Sequence, residues 1–468
     1  MSLDKRGDPS VPELDIHGIW WLPEKPDERR SGTLRYSEQS GALLDLFGNF
    51  PVNNTGEKPL IFELETLRHH EIILGIGSKG ENLTLLDCDG IETTIHLFTF
   101  DNPRIRAEYV LVGALIDSPL TVKSLSSRLD NLNVWVGSSG FTVSPLFPKG
   151  WRMEHQHPDG TFCQLPGFAV GFSYQTIGPR LERPLTSFSM TQNARLQIVF
   201  DQEISLASAF NIFDLFRTLL VLGIGSPVDF LEIEGTSSKG EQFEQTLIPF
   251  KILYRRRRMY ERTVTAPGKM LFVFDDIKDK FSEICDLWIR RKEILKPVYS
   301  LYFAAIHNPS TYVEEHFINF FQAAESYHRR TFIPDDGAKR LHKSKLDAIS
   351  AAIPSEHRQW IKEKLTHSHE PTAADRLKSV ISTVGAEWLF PSTAEDVRAL
   401  VRIRNYFTHW EPTAERYLPP LRDLNNWKAR LQVLVEMILL HEIGFSNHET
   451  GALFERSQRL ESFLVAPE

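Results

Sequence analysis

From about Ile16 to Phe200, apolar and polar residues alternate in short runs: Ile72 to Leu74, Leu83 to Leu86, Thr93 to Phe98, Tyr109 to Leu115, Leu132 to Val136 and Leu196 to Phe200. Branched and aromatic side chains at this period, bounded by Gly, Asn, Asp and Pro, predict β-strands with one face buried. No long helical pattern separates them, so a mostly antiparallel, sandwich-like or barrel arrangement fits better than a doubly wound sheet. Ser205 to Gly223 then has the period of one helix, with Ala209, Ile212, Phe213, Phe216 and Leu220 on one face. Asp229 to Glu234 and Leu271 to Phe274 read as further strands.

Near Asp275 the period changes. Apolar positions at i, i+3, i+4 and i+7 predict helices over Asp276 to Lys296, Thr311 to Arg330, Asp336 to Ala352, Glu356 to Leu365, Ala373 to Ile381, Ala394 to His409 and Leu421 to Ile443. Prolines and glycines lie in the connections. The expectation is an α+β multidomain chain: a β-rich N-terminal domain over 1–274 and an all-α bundle over 275–468.

Composition changes this picture only by exclusion. Among 468 residues, 24% are charged and 41% hydrophobic, which is ordinary for a globular chain. A formal charge of −8 argues against a wide basic surface coating nucleic acid, so any RNA contact must be local. Cys88, Cys163 and Cys285 are too few and too dispersed for a disulfide framework or a zinc knuckle, and they point to a reducing cytoplasm. The apolar runs Leu219 to Ile224 and Leu431 to Leu440 are too short to span a bilayer.

Several segments invite a chemical reading. Gly75-Ile76-Gly77-Ser78-Lys79-Gly80 matches GxGxxG after a strand, but Leu83 onward continues as strand where a dinucleotide site requires a helix. A hairpin turn is expected instead. Arg255 to Arg258 reads as a solvated interdomain face. His69-His70-Glu71, His155-Gln156-His157 and His367-Ser368-His369 suggest metal ligands, yet no third ligand can be named for any of them, and surface histidines are the better reading. Glu325 sits in the apolar helix segment Phe320 to Tyr327. A carboxylate there needs a cationic partner, Arg402 or Arg404, unless it lies at the edge of the apolar stripe.

Val401 to Trp410 (VRIRNYFTHW) carries the remaining chemistry. Ser392 or Thr393 can cap the start of its helix, and Pro412 stops it, taking Glu411 out of helical geometry. Arg404, Asn405 and His409 then stand near a helix C-terminus. Arginine's planar fork suits phosphate oxygens, and histidine titrates near neutrality. Together they suit RNA cleavage through its own 2′-hydroxyl, a reaction needing a base, an acid and a cation but no metal or cofactor. Residues five apart diverge by about 140° on a helix, so a shared pocket requires that the helix fray or end there. One chain offers one such histidine for two proton-transfer roles. A two-fold dimer would supply the second. A surface arginine and a helix-capping histidine remain the bland alternative.

RIRNYFTHW and the earlier FFQAAESYHRR resemble a HEPN domain of the ApeA type, and ILGIGSKGENLTLLDCDG and SLSSRLDNLNVWVG resemble the ApeA N-terminal domain. The resemblance implies a HEPN helical bundle, homodimerisation with or without higher assembly, and metal-independent cleavage of RNA, with tRNA as a target. It also implies a role in bacterial abortive infection, the N-terminal domain sensing a phage-derived protein trigger. Within it, Arg404 and His409 are the catalytic pair and Asn405 orients the phosphate or the histidine. Glu325, Arg402 and Tyr406 are supporting residues. The alternative is a non-catalytic HEPN dimer scaffold whose β-rich domain binds a ligand or a protein.

Overall fold

The computed structural model describes residues 13–50, 69–91, 103–182, 187–238, 247–256, 260–332, 336–366, 368–410 and 412–458. They form two compact units, one of Met1–Leu220 with Val228–Val264 and one of Val221–Pro227 with Thr265–Glu468.

In the first unit, strands β1 (Leu14–Trp21), β2 (Arg30–Ser37), β3 (Gly41–Leu46), β4 (His69–Gly77), β5 (Asn82–Ile91) and β6 (Arg104–Val112) close on themselves in the order β1-β2-β3-β6-β5-β4. Every pairing is antiparallel. Closure removes the exposed edges that an open sheet would leave. The alternating inward residues Trp20, Leu34, Leu44, Ile73, Leu83, Leu85 and Val110 fill the interior. The β-rich, antiparallel expectation therefore holds, with a barrel as its first part.

Gly75-x-Gly-x-x-Gly80 is a hairpin, as expected, and packing explains its glycines. A Cβ on Gly75 would lie 2.2 Å from Cε3 of Trp20, so the absent side chain is what lets the indole into the barrel. Gly80 has φ +82° and turns the chain from β4 into β5.

β6 serves two sheets. Arg104 to Ala107 pair with β3, whereas Tyr109 to Val112 pair with a later strand, β14 (Leu247–Tyr254). From there the sheet runs through β13 (Phe230–Ser238), β7 (Thr121–Leu129), β12 (Ser187–Ser205) and β11 (Phe168–Glu182) to β10 (Thr161–Leu165). Helix α2 (Leu206–Ile224) lies against it, Phe213 stacking on Phe230 at 4.6 Å and Phe216 meeting Phe168 at 6.1 Å. By length and composition alone α2 could cross a membrane, but just over half of its apolar window is buried inside the protein. The separate hairpin of β8 (Phe141–Pro145) and β9 (Trp151–His155) places Val143, Trp151 and Met153 on one exposed face.

Two expected strands are not strands. Leu132–Val136 is a short helix, α1, bracketed by Asn131 and Gly137 in left-handed geometry, and its buried Leu132, Trp135 and Val136 follow i, i+3, i+4 spacing rather than alternation. Leu271 and Phe272 donate their N–H groups to Gly223 O, outside any ladder, and the chain turns helical at Phe274. Arg256 is not on a solvated face either. It is 7% exposed; its Nη2 pairs with Glu38 at 2.9 Å and donates to Leu231 O, while Nε and Nη1 are buried without a hydrogen-bond partner. Arg257 and Arg258 lie outside the described residues, as do Thr93 to Phe98, His367 and Glu411.

The second unit is helical: α3 (Phe274–Ile277), α4 (Phe281–Arg290), α5 (Lys292–His307), α6 (Val313–Thr331), α7 (Asp336–Ala352), α8 (Ser355–Leu365), α9 (Ala373–Thr383), α10 (Thr393–His409), α11 (Leu421–Glu442) and α12 (Asn447–Arg456). The single helix expected over Asp276 to Lys296 is three. Residues 11 apart in one helix are about 16 Å apart along its axis, yet the rings of Trp288 and Tyr299 stack at 4.5 Å because the chain folds back at Arg291. α11 is buried on all sides from Leu431 to Leu440, as a central helix must be. α12 was not anticipated, although Ser446 and Glu449 form a capping box that announces it. Arg456 grips Asp276 through both oxygens at 2.5 and 2.7 Å, tying the end of this unit to its beginning.

Candidate active site

α10 forms because Val397, Leu400, Ile403 and Tyr406 recur on one face and are buried. Its start departs from expectation. Ser392 occupies the cap position but its side chain makes no capping bond, and Thr393 donates its hydroxyl to Phe390 O. Asp396 does the work instead, accepting the Ser392 N–H at 3.1 Å. At the other end His409 is the last helical residue. Trp410 takes a left-handed conformation (φ +49°) and donates its N–H to Tyr406 O at 2.6 Å. Its ring leans on Tyr406 and Phe407 at 5.5 and 5.8 Å, contacts that offset the strain of a non-glycine residue there.

α6 supplies the facing surface. Phe317, Phe321 and Glu325 follow one another at i, i+4, i+8. Phe317 meets Phe407, and Arg404 lies over the Phe321 ring at 5.8 Å. Arg404 donates through Nη2 to Glu325 Oε2 at 3.3 Å and through Nη1 to Asn405 Oδ1 at 3.1 Å, while its Nε is buried without a hydrogen-bond partner. The other Glu325 oxygen accepts from Arg329 at 3.0 Å. Two guanidiniums against one carboxylate leave a net positive charge, partly screened from water, where anion binding is favoured.

Arg404, Asn405 and Glu325 are thus brought together. Arg402 is exposed and is not the partner of Glu325. The sequence alone does not separate the two candidates, but 402 and 404 leave the helix about 160° apart and only Arg404 meets Glu325 on α6. Tyr406 is buried and packs against Phe407 and Trp410. His409 is exposed, and because α10 stays helical through it, its side chain leaves about 140° from that of Arg404. The two do not converge on one pocket within one chain. Arg329 was overlooked by sequence reasoning, although its i+4 spacing from Glu325 signals the pair.

The histidine pairs elsewhere have ordinary partners: His69 with Asp89 at 2.8 Å, His155 with Gln192 at 3.3 Å and His157 with Thr176 at 3.1 Å. His342 and His369 face one another at 4.5 Å. Among the described residues no three His, Cys, Asp or Glu side chains are placed to hold a metal ion.

A family model described as ApeA N-terminal domain 1 matches residues 15–288, and one described as Apea-like HEPN matches residues 318–449. Glu325, Arg404 and His409 all fall in the second match. No curated protein and no solved structure matches the chain.

Proposed function

Because the chain belongs to the ApeA family, with an ApeA N-terminal domain followed by an Apea-like HEPN domain, we propose that it is a metal-independent endoribonuclease of bacterial anti-phage defence. RNA is its substrate and tRNA the foremost target. The observation that carries this reading is the Glu325–Arg404 pair: a guanidinium held near the end of α10 in a net positive cluster, five residues before an exposed histidine on the same helix.

In the proposed reaction the 2′-hydroxyl oxygen of the substrate attacks the adjacent phosphorus. A histidine takes its proton, a second proton reaches the departing 5′-oxygen, and Arg404 holds the phosphate oxygens as their charge develops. The products carry a 2′,3′-cyclic phosphate and a 5′-hydroxyl. Glu325 fixes the guanidinium, and Asn405 orients its outer nitrogen. Since Arg404 and His409 of one chain diverge by about 140°, the reading requires two copies paired across α10, so that the histidine of one serves with the arginine of the other. The β-rich domain regulates this activity in response to infection, a phage-derived protein being the trigger.

The test is to incubate purified protein with tRNA in EDTA and analyse the ends of the products. Cyclic phosphate and 5′-hydroxyl ends, lost in Arg404→Ala and His409→Ala, support the reading. Cleavage that requires a divalent metal, or that survives both substitutions, overturns it.

A further inference from the structure

α10 has a second polar face, joined to the Glu325–Arg404 pair through Asn405, whose Oδ1 accepts from Arg404 Nη1. At about 100° per residue, Arg398, Arg402, Asn405 and His409 fall within about 60° of one another, opposite the face that buries Leu400 and Ile403. All four are exposed. Arg398 anchors only its Nε, to Ala394 O at 3.0 Å, and its two terminal nitrogens make no hydrogen bond among the described residues. Arg402 has no hydrogen bond or ion pair among the described residues, and Glu395, one turn before Arg398, forms no ion pair with it. Two arginines at i, i+4 repel and weaken an isolated helix. An uncompensated like-charge pair of this kind, in a chain of formal charge −8, calls for an external anion. From Arg398 to His409 the face is about 16 Å long, room for about five nucleotides at the ~3.4 Å axial rise of a helical strand. At its end the Trp410 ring is 64% exposed, a flat apolar surface directly after His409.

We propose that this face is a substrate track. Arg398 and Arg402 bind successive phosphates of an RNA strand, His409 meets the linkage to be cut, and Trp410 stacks the base beside it. The complementarity is of charge and shape: a linear cationic row for a linear polyanion, with an aromatic platform that accepts any base. The proposal rests on the ribonuclease reading of His409, and it adds the direction in which the strand lies.

The experiment uses the full-length chain and two oligonucleotides of one sequence, one unmodified and one fully 2′-O-methylated so that it binds without being cut. Binding of the methylated strand is followed by fluorescence anisotropy across a salt series. Arg398→Ala and Arg402→Ala are each expected to weaken binding about tenfold and to reduce the slope of log K against log salt by about 0.7. On the unmodified strand they raise KM and leave kcat nearly unchanged. Arg398→Lys and Arg402→Lys keep the slope. Trp410→Ala weakens binding without changing the slope, and Trp410→Phe restores it. Variants that bind with wild-type affinity and slope, while wild type still cleaves, overturn the track and leave the ribonuclease standing. A slope that falls as expected in the alanine variants, beside a wild type that cuts neither strand, supports the strand-binding face and sinks the ribonuclease. None of the four arginine variants lowers the melting temperature, since both side chains lie in solvent and the alanine variants also relieve the repulsion between them.

Discussion

Glu325 and Arg404, 79 positions apart in the chain, meet at 3.3 Å between α6 and α10. The pair is neither a surface ornament nor a fully buried one: the carboxylate side chain is 12% exposed and the guanidinium 24%. Such a pair fixes a cation in direction more than it adds to stability.

Truncating the carboxylate tests that statement. Glu325→Ala leaves Arg404 with a buried Nε already lacking a partner, and should destabilise the protein by about 1–2 kcal/mol, between the surface and buried limits for ion pairs. A double-mutant cycle with Arg404→Ala, read by urea unfolding, should return a coupling above about 0.5 kcal/mol. Additive single effects would show that the contact contributes nothing.

His409→Ala makes the opposite prediction. The side chain is exposed, so unfolding should shift by less than about 0.5 kcal/mol, while RNA cleavage falls at least about 100-fold. A variant that loses cleavage and melts early has instead lost the end of α10.

The barrel offers a test independent of catalysis. Gly75→Ala pushes a methyl group into Trp20 and should cost about 1–3 kcal/mol or more. Combining it with Trp20→Leu, which vacates that space, should cost less than the two single losses added together. Gly80→Ala meets nothing within 4 Å and should cost only about 1 kcal/mol, through its positive φ. Equal effects at both glycines would refute the packing explanation.

Acid should loosen the helical unit. His328 is buried and stacked on Phe332 at 4.3 Å, and burial holds its pKa below the usual histidine value. Burial also lowers that of His316, partly opposed by its hydrogen bond to Asn308 O. With the folded pKa below the unfolded one, the unfolded chain binds more protons. The stability these groups contribute is therefore complete above about pH 6.5 and lost as pH falls below it. Urea midpoints at pH 7.5 and 5.5 should show this decline, and His328→Gln should flatten it. An unchanged slope in that variant removes His328 as a cause.

Much of the architecture was legible from one-dimensional pattern. Period two gave way to period three-and-a-half near Asp275, and the bounds of α6, α7, α9, α10 and α11 fall within a few residues of the expected ones, because periodicity records which side of a segment is buried. The glycines from Gly75 to Gly80 were readable as a turn because a strand, not a helix, follows them. Local pattern failed where the deciding contact is distant. Leu132–Val136 looks apolar in either geometry, and what makes it a helix is a left-handed residue at each end. α4 and α5 part at Arg291 so that Trp288 can reach Tyr299, an exchange of helical hydrogen bonds for aromatic packing that no propensity foretells.

For the site, residue types and spacing along the chain were enough to single out Arg404, Asn405 and His409 and to demand a cation for Glu325. Only the packing of α6 on α10 chose Arg404 over Arg402, added Arg329, and carried His409 to the outer face. A sequence states what each segment must hide; which buried groups then meet is a property of how the hidden faces fit together.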